Sequence, residues 1–295
     1  MSGPGSGLRI LIVGCGDIGV PLAQALVNGG AEVWGLRRRP GELPAFIHPL
    51  AADVTDAGSL GALDELAFDY VVMTLTPAEM SERGYRSVFI DGVANLLDAL
   101  HRQPAPRRIF HVSSTSVYHQ RDGEWVDESS PATPASFSGK ALLQGEQLLF
   151  DCGIPVTVVR FAGIYGPGRR RLIDQVLAGQ GCPRRPPLYT NRIHRDDCAG
   201  VLLHLILRDA AGEAVDSLYL GVDSEPVPLW EVKQWMARQL GVELDADKPS
   251  AAPARRNSKR CSNARLLSSG YQLRYPDFRR GYAALLESYG LGSSD

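Results

Sequence analysis

The chain has 295 residues, with 31 Lys and Arg against 33 Asp and Glu, a formal net charge of −2, so no overall field draws it to nucleic acid. Its 44% hydrophobic and 22% charged residues exclude a mainly disordered or fibrous chain. No apolar run reaches the ~18 residues of a spanning helix, and stretches such as Leu202–Leu207 are broken by His204, so no membrane partner is expected.

At ~150 residues per domain the length allows one large domain or two modest ones. Either can bury a core without disulfide or metal staples. The five cysteines sit at spacings far from CxxC, which excludes a disulfide framework and a zinc site; no metal is expected. Cys15 and Cys198 read as small core residues, and reduced thiols suit a cytoplasmic protein. Met1–Gly7, rich in Gly, Ser and Pro, lacks a signal-peptide core and reads as a flexible N-terminus.

In chain order, Leu8–Val13, Glu32–Leu36, Asp69–Leu75, Arg108–Val112 and Pro155–Val159 read as buried strands, apolar on both faces. His48–Ala52 and Ser217–Val222 are weaker strands. Ile18–Val27, Tyr85–Leu100 and Ala141–Phe150 carry apolar residues at helical spacing. The alternation predicts an α/β fold, a Rossmann-type doubly wound parallel sheet with right-handed crossovers. After Tyr165, Pro, Gly and Arg crowd 166–171 and 181–187, and helices return at Leu229–Leu240 and Phe278–Tyr289. The expected division is a dinucleotide-binding domain over 8–165, rejoined by about 190–222, and a small C-terminal substrate lobe from 166–189 and 223–290. Asp247–Lys259 reads as an irregular basic loop.

The first strand runs into Gly14-Cys15-Gly16-Asp17-Ile18-Gly19 and then a helix, which is GxGxxG in the context that gives it meaning. Gly14 permits the tight turn, Gly16 lets backbone approach a pyrophosphate, and Gly19 lets helix and strand pack closely. The helix start over Asp17, Ile18 and Gly19 offers N–H groups and a positive dipole end to phosphates. An NAD site usually ends the second strand with an acid on the ribose 2′-hydroxyl. Here that strand ends Gly35-Leu36-Arg37-Arg38-Arg39. A guanidinium pairs with phosphate, so NADP is favoured over NAD, with Arg37 or Arg38 on its 2′-phosphate. Asp53 could accept from the adenine amine or cap a helix, and Thr74 flanks the cofactor at the sheet's carboxyl edge.

Further segments now carry a resemblance. They are Val112-Ser113-Ser114-Thr115-Ser116-Val117-Tyr118, Arg160 to Arg169 with its Tyr165-Gly166-Pro167-Gly168 run, and Ile193-His194-Arg195-Asp196-Asp197. With the glycine loop, in this order, the chain resembles an extended short-chain dehydrogenase/reductase of the NAD-dependent epimerase/dehydratase type over nearly all of 8–290. The resemblance implies that Ser114 hydrogen-bonds the substrate oxygen. Thr115-Ser116 lack the acids that dehydratases carry there, which disfavours dehydration. It also implies a Tyr-x-x-x-Lys proton relay, whose lysine falls on Lys140 and whose tyrosine position is Ser136. A serine hydroxyl is far less acidic than a phenol and a whole ring shorter.

Three readings stay open: another acid serves, from among Tyr118, Tyr165, His194 and the Asp127/Glu128 pair; Ser114 and water carry the proton in slow or unusual hydride transfer; or the chain is a catalytically silent NADP-binding sensor or regulatory protein. By the same resemblance Tyr165, Arg169, Arg192 and Arg260 lie near a small-molecule substrate, which clustered cations suggest is anionic or sugar-like. Asp196 or Asp197 would cap the helix over Cys198–Leu207. Helices such as Tyr85–Leu100 suit a homodimer bundle.

Overall fold

The computed structural model describes residues 5–245 and 258–291. In chain order these form β1 (Arg9–Val13), α1 (Gly19–Asn28), β2 (Glu32–Arg37), β3 (His48–Ala51), β4 (Tyr70–Met73), α2 (Glu82–Arg86), α3 (Gly92–His101), β5 (Arg108–Ser114), β6 (Glu124–Val126), α4 (Phe137–Phe150), β7 (Val156–Phe161), β8 (Gly163–Tyr165), α5 (Arg171–Leu177), β9 (Tyr189–Thr190), β10 (Arg192–His194), α6 (Arg195–Ala210), β11 (Leu218–Gly221), β12 (Val227–Pro228), α7 (Leu229–Leu240), β13 (Lys259–Cys261), α8 (Ala264–Ser268) and α9 (Phe278–Ser288).

Seven strands make one sheet in the order β11-β7-β5-β4-β1-β2-β3. The pairs β1–β2, β2–β3, β1–β4 and β4–β5 all run parallel. Strand order therefore reverses between β1 and β4, and a doubly wound sheet opens its crevice at the carboxyl ends of such a pair. Every residue of β4 and β7 is buried, as in strands covered on both faces; β4 is wholly apolar, and β7 carries Thr157 and Arg160 among apolar residues.

The chain divides into two compact units: residues 5–117, 132–160 and 199–219, and residues 118–131, 161–198, 220–245 and 258–291. The segment 118–131 joins the second unit because its strand β6 pairs with β13. The returning segment is 199–219, since β8 and β10 pair with each other as a separate two-stranded sheet. Each unit has its own core. In the first, Leu11, Val13, Val71, Met73, Leu96 and Leu149 are central; in the second, Tyr165, Val232, Met236, Phe278 and Tyr282.

Helix bounds shift where a polar residue or glycine decides them. α4 begins at Phe137, earlier than its apolar period suggests, because Ser136 Oγ accepts from Gly139 N at 3.1 Å as an N-cap. The single helix expected over Tyr85–Leu100 is α2 and α3 joined by a wider π turn over Ser87–Asp91. That turn carries the Phe89 carbonyl to 2.3 Å from where a Cβ on Gly145 would lie, so only glycine lets α4 cross there. Asp197 does not cap α6: its carboxylate accepts from Tyr271 Oη at 2.8 Å and from Arg274 N and Tyr275 N at 2.8 and 3.0 Å, tying down the segment before α9. At the N-terminus Gly5 is buried and Gly7 N donates to Gly30 O, so 5–7 are held, while 1–4 lie outside the described residues. Asp247 to Asn257 of the expected basic loop also lie outside them; Lys259 itself is in β13.

A charged group buried where periodicity predicts an apolar face stands on α4. Glu146 continues the stripe of Leu142, Gly145 and Leu149 on α4. It is matched by Arg160 of β7, with Nε to Oε1 at 3.1 Å and Nη2 to Oε2 at 2.6 Å, and by Ser113 Oγ of β5 at 2.5 Å. A paired, hydrogen-bonded carboxylate is tolerable in the interior, whereas a lone guanidinium is not. Glu146→Ala is therefore expected to cost about 3–5 kcal/mol of unfolding free energy in urea titrations, with Glu146→Gln costing less.

Candidate functional site

The glycine loop sits at the switch point. Gly14 has φ +78, and a Cβ there would lie 2.9 Å from Thr74 O, so both conformation and space require glycine. A Cβ on Gly19 would lie 2.9 Å from Ile12 Cγ2, which sets how closely α1 packs on β1. Gly16 differs: its φ is ordinary and its Cβ would meet only Gly14 O at 3.6 Å, a normal contact. The protein itself has no need of glycine at that position. Thr74 Oγ1 donates to Gly14 O at 2.9 Å, so this residue at the end of β4 holds the loop. Ile18 provides no side-chain cap to the first turn of α1, and Asp17 beside it is exposed.

At the end of β2 the basic run divides by role. Arg37 Nη2 is paired with Glu42 at 2.7 Å. Arg38 is exposed and has no ion pair among the described residues. Asp53 Oδ1 accepts from Thr55 N and Thr55 Oγ1 at 3.0 and 2.8 Å, an Asx turn and not a helix cap, and its Oδ2 has no described partner.

Ser114 ends β5 half-buried, its Oγ accepting from Ser116 N at 3.1 Å and keeping its proton to donate. Ser136 is the N-cap already described, and Lys140, one turn on, is exposed with no described partner for its ammonium. It lies two residues before Leu142, so it points ~200° away from the buried stripe of α4. His111, also on β5, is fully buried with neither ring nitrogen partnered. Burial pushes it down to about 4, against the pull of Glu146, and keeps it neutral.

In the second unit the alternative acids are committed elsewhere. Tyr118 is fully buried and its Oη donates to Asp127 O at 2.9 Å. Asp127 Oδ1 accepts from Ser129 N, Ser129 Oγ and Ser130 Oγ, bonds that hold the carboxyl below its usual range. Glu128 Oε1 accepts from Leu220 N at 2.8 Å. His194 Nδ1 accepts from Asp196 N at 3.1 Å, and its ring lies between Tyr165 and Tyr275, at 5.2 and 4.0 Å. Burial lowers its pKa.

Of the residues expected at the substrate, Tyr165 and Arg192 are in the core. Tyr165 stacks on Tyr282 at 4.5 Å, and its hydroxyl, unpartnered, would lie 1.8 Å from a Cβ on Gly281. Burial drives its pKa far upward. Arg192 reaches Thr190 Oγ1 and stands over the Phe278 ring, while its Nη1 has no partner. Asp223, whose backbone N donates to Arg192 O at 2.7 Å, has an unpartnered Oδ2. Burial holds Asp223 up to about 7, Arg192 pulling the other way. Arg169 and Arg260, by contrast, reach the surface.

A model of the NAD-dependent epimerase/dehydratase family matches residues 10–215. The chain belongs to that family. Protein YeeZ of Escherichia coli K12 is 29% identical over 286 residues, 91% of this chain and 97% of its own. A Methylobacillus flagellatus protein, described as a candidate NAD-dependent epimerase/dehydratase, is 38% identical with a TM-score of 0.81, covering 97% of this chain and 100% of its own. The human epimerase family protein SDR39U1, solved with NADPH, shares the fold at 22% identity and a TM-score of 0.77, over 95% and 99% of the two chains.

The glycine loop of this family member fits the dinucleotide that the family name implies, because Gly16 leaves open the position a side chain would fill. Among the described residues no cluster of His, Cys, Asp or Glu could hold a metal, and no helix is long and apolar enough to cross a membrane. Sequence reasoning missed Glu146, His111 and Asp223. The available signal was a polar residue on an otherwise apolar face, and for Asp223 there was none.

Gly16→Ala is expected to leave thermal stability nearly unchanged while weakening dinucleotide binding by about tenfold or more, whereas Gly14→Ala lowers the melting temperature. Calorimetry and melting curves on both variants separate the two roles. A second measurement concerns Asp223. Its carboxyl holds a proton in the folded state over the window from about pH 4 to pH 7, where the unfolded chain has released it. Its protonation therefore favours folding at the acid end, and the benefit is lost as pH rises through 7. Asp223→Asn should flatten this dependence, removing roughly 2–4 kcal/mol of difference between pH 5 and pH 8 in denaturant titrations.

Proposed function

We propose that this chain binds NADP in preference to NAD and acts as an oxidoreductase or epimerase on a small polar, anionic or sugar-like substrate. The observation that carries the reading is Gly16, a glycine the fold does not need, placed where strand order reverses. Gly14, Gly16, Asp17, Ile18 and Gly19 cradle the pyrophosphate. Because Glu42 holds Arg37, the 2′-phosphate falls to Arg38, and the open oxygen of Asp53 takes the adenine amine. Thr74 acts through the loop it anchors.

The bound cofactor supplies hydride transfer. Ser114 orients the substrate oxygen with the proton its hydroxyl keeps, and the exposed Arg169 and half-buried Arg260 are offered to an anionic group of the substrate. Tyr165 and Arg192 belong to the support of the second unit. Five free cysteines support a cytoplasmic setting, and exposed Phe137 with its neighbour Tyr85 supports pairing with a second copy.

A second reading is favoured by Ser136. It caps α4 and supplies no phenol one turn before Lys140, which is exposed and off the buried stripe of the helix. On that reading the protein binds NADP without chemistry, as a sensor or regulatory partner. Nucleotide titrations test the cofactor: Arg38→Glu should raise the NADP Kd by about tenfold or more and move NAD far less, and tighter NAD than NADP binding by the unaltered protein overturns the preference. Turnover of the nicotinamide across a panel of sugars and small carboxylic acids, lost in Ser114→Ala, supports catalysis. Tight NADP binding with no turnover across the panel supports the silent reading.

A further inference from the structure

The second unit holds one half-buried arginine in a fixed posture. β6 and β13 pair in parallel, with Trp125 opposite Arg260 in the register. The Arg260 guanidinium stands 5.1 Å from the Trp125 ring and 4.9 Å from the Tyr189 ring. Its Nε donates to Gly123 O at 2.7 Å. Gly123, at φ +79, has no room for a side chain because a Cβ would lie 2.9 Å from the Tyr189 ring, so the carbonyl and the ring are locked together. Ser258 ties the same corner: its Oγ accepts from Tyr189 N at 3.0 Å and its carbonyl accepts from Gly123 N at 2.9 Å.

These restraints use Nε and the flat face of the guanidinium and leave the rest. Among the described residues neither Nη group of Arg260 has a hydrogen-bond partner, and no carboxylate lies within ion-pair distance. Glu124, on the strand paired with β13, has its Oε2 accepting from Asp122 N. Trp125 is 57% exposed, a large apolar ring that the fold has not covered. A guanidinium stripped of rotamer freedom loses little entropy on binding an oxyanion, and its two Nη groups match a carboxylate or phosphate bidentately.

We infer that Arg260, clamped by Trp125, Tyr189 and Gly123, is an oxyanion receptor, and that Trp125 takes a flat ring attached to that anion. The site binds small molecules in which a phosphate or carboxylate adjoins a planar group. This deepens the substrate class proposed above and rests on that reading.

The probes are phenyl phosphate, benzoate and inorganic phosphate, titrated by calorimetry into the full chain. Phenyl phosphate or benzoate should bind about tenfold or more tightly than inorganic phosphate, and the tighter of the two names the anion. Arg260→Gln should weaken the ring-bearing anion by about tenfold or more, and Trp125→Ala should erase its advantage over inorganic phosphate. If Arg260→Gln does not fold, Arg260→Lys, which keeps charge but loses the fork, should show the same weakening. Binding that persists unchanged in the Arg260 and Trp125 variants, or absence of binding by the unaltered protein, overturns the inference. NADP titrated separately into the same preparations distinguishes the two failures: loss of NADP binding by the unaltered protein sinks the cofactor reading, while intact NADP binding with no ring-anion binding sinks this site alone.

Discussion

The first unit depends on how closely β1, α1 and β4 approach at one corner. A Cβ on Gly14 would lie 2.9 Å from the backbone of Thr74, and one on Gly19 would lie 2.9 Å from Ile12. Those two absences of a side chain bring a helix start and a strand end into van der Waals contact, and Thr74 secures the arrangement by donating to Gly14 O. With the loop held from both sides, the backbone at Gly16 is presented as a rigid surface. Preorganisation of that kind lets a polyanion bind without ordering the protein.

Buried charge is handled in two ways. Glu146, Arg160 and Ser113 satisfy one another between α4, β7 and β5, and Asp197 takes three donors from the segment before α9. These groups act as fasteners, where removing one partner leaves another unpaired in the interior. In the second unit Arg192, Asp223 and Tyr165 each keep a polar atom without a partner among the described residues. Burial holds the Asp223 carboxyl up to about 7, so its contribution to that unit's stability falls as pH rises toward neutrality.

The second unit also shows how a side chain gains a function through its neighbours. Arg260 and Arg192 are two residues of one type in short strands, and the sequence treats them alike. Arg192 is buried over Phe278, whereas Arg260 is half-buried between Trp125 and Tyr189. The strands that carry them, two or three residues long, have no period to read, which is why β6, β8, β9, β10, β12 and β13 escape periodicity altogether.

Residue order alone determined the doubly wound sheet, the glycine loop and its place at the first helix, because those rest on unbroken apolar runs and on glycines whose need is local. At the position where the resemblance expects the relay tyrosine, it has Ser136. Only the tertiary structure decided what that serine does, since a cap is defined by where the helix starts, and only it separated Arg37, paired with Glu42, from Arg38, which stays open. It likewise shows that Tyr165, Arg192 and Tyr118 are buried. Whether a polar side chain meets a ligand or its own protein is settled by partners distant in the chain, and a linear pattern does not carry them.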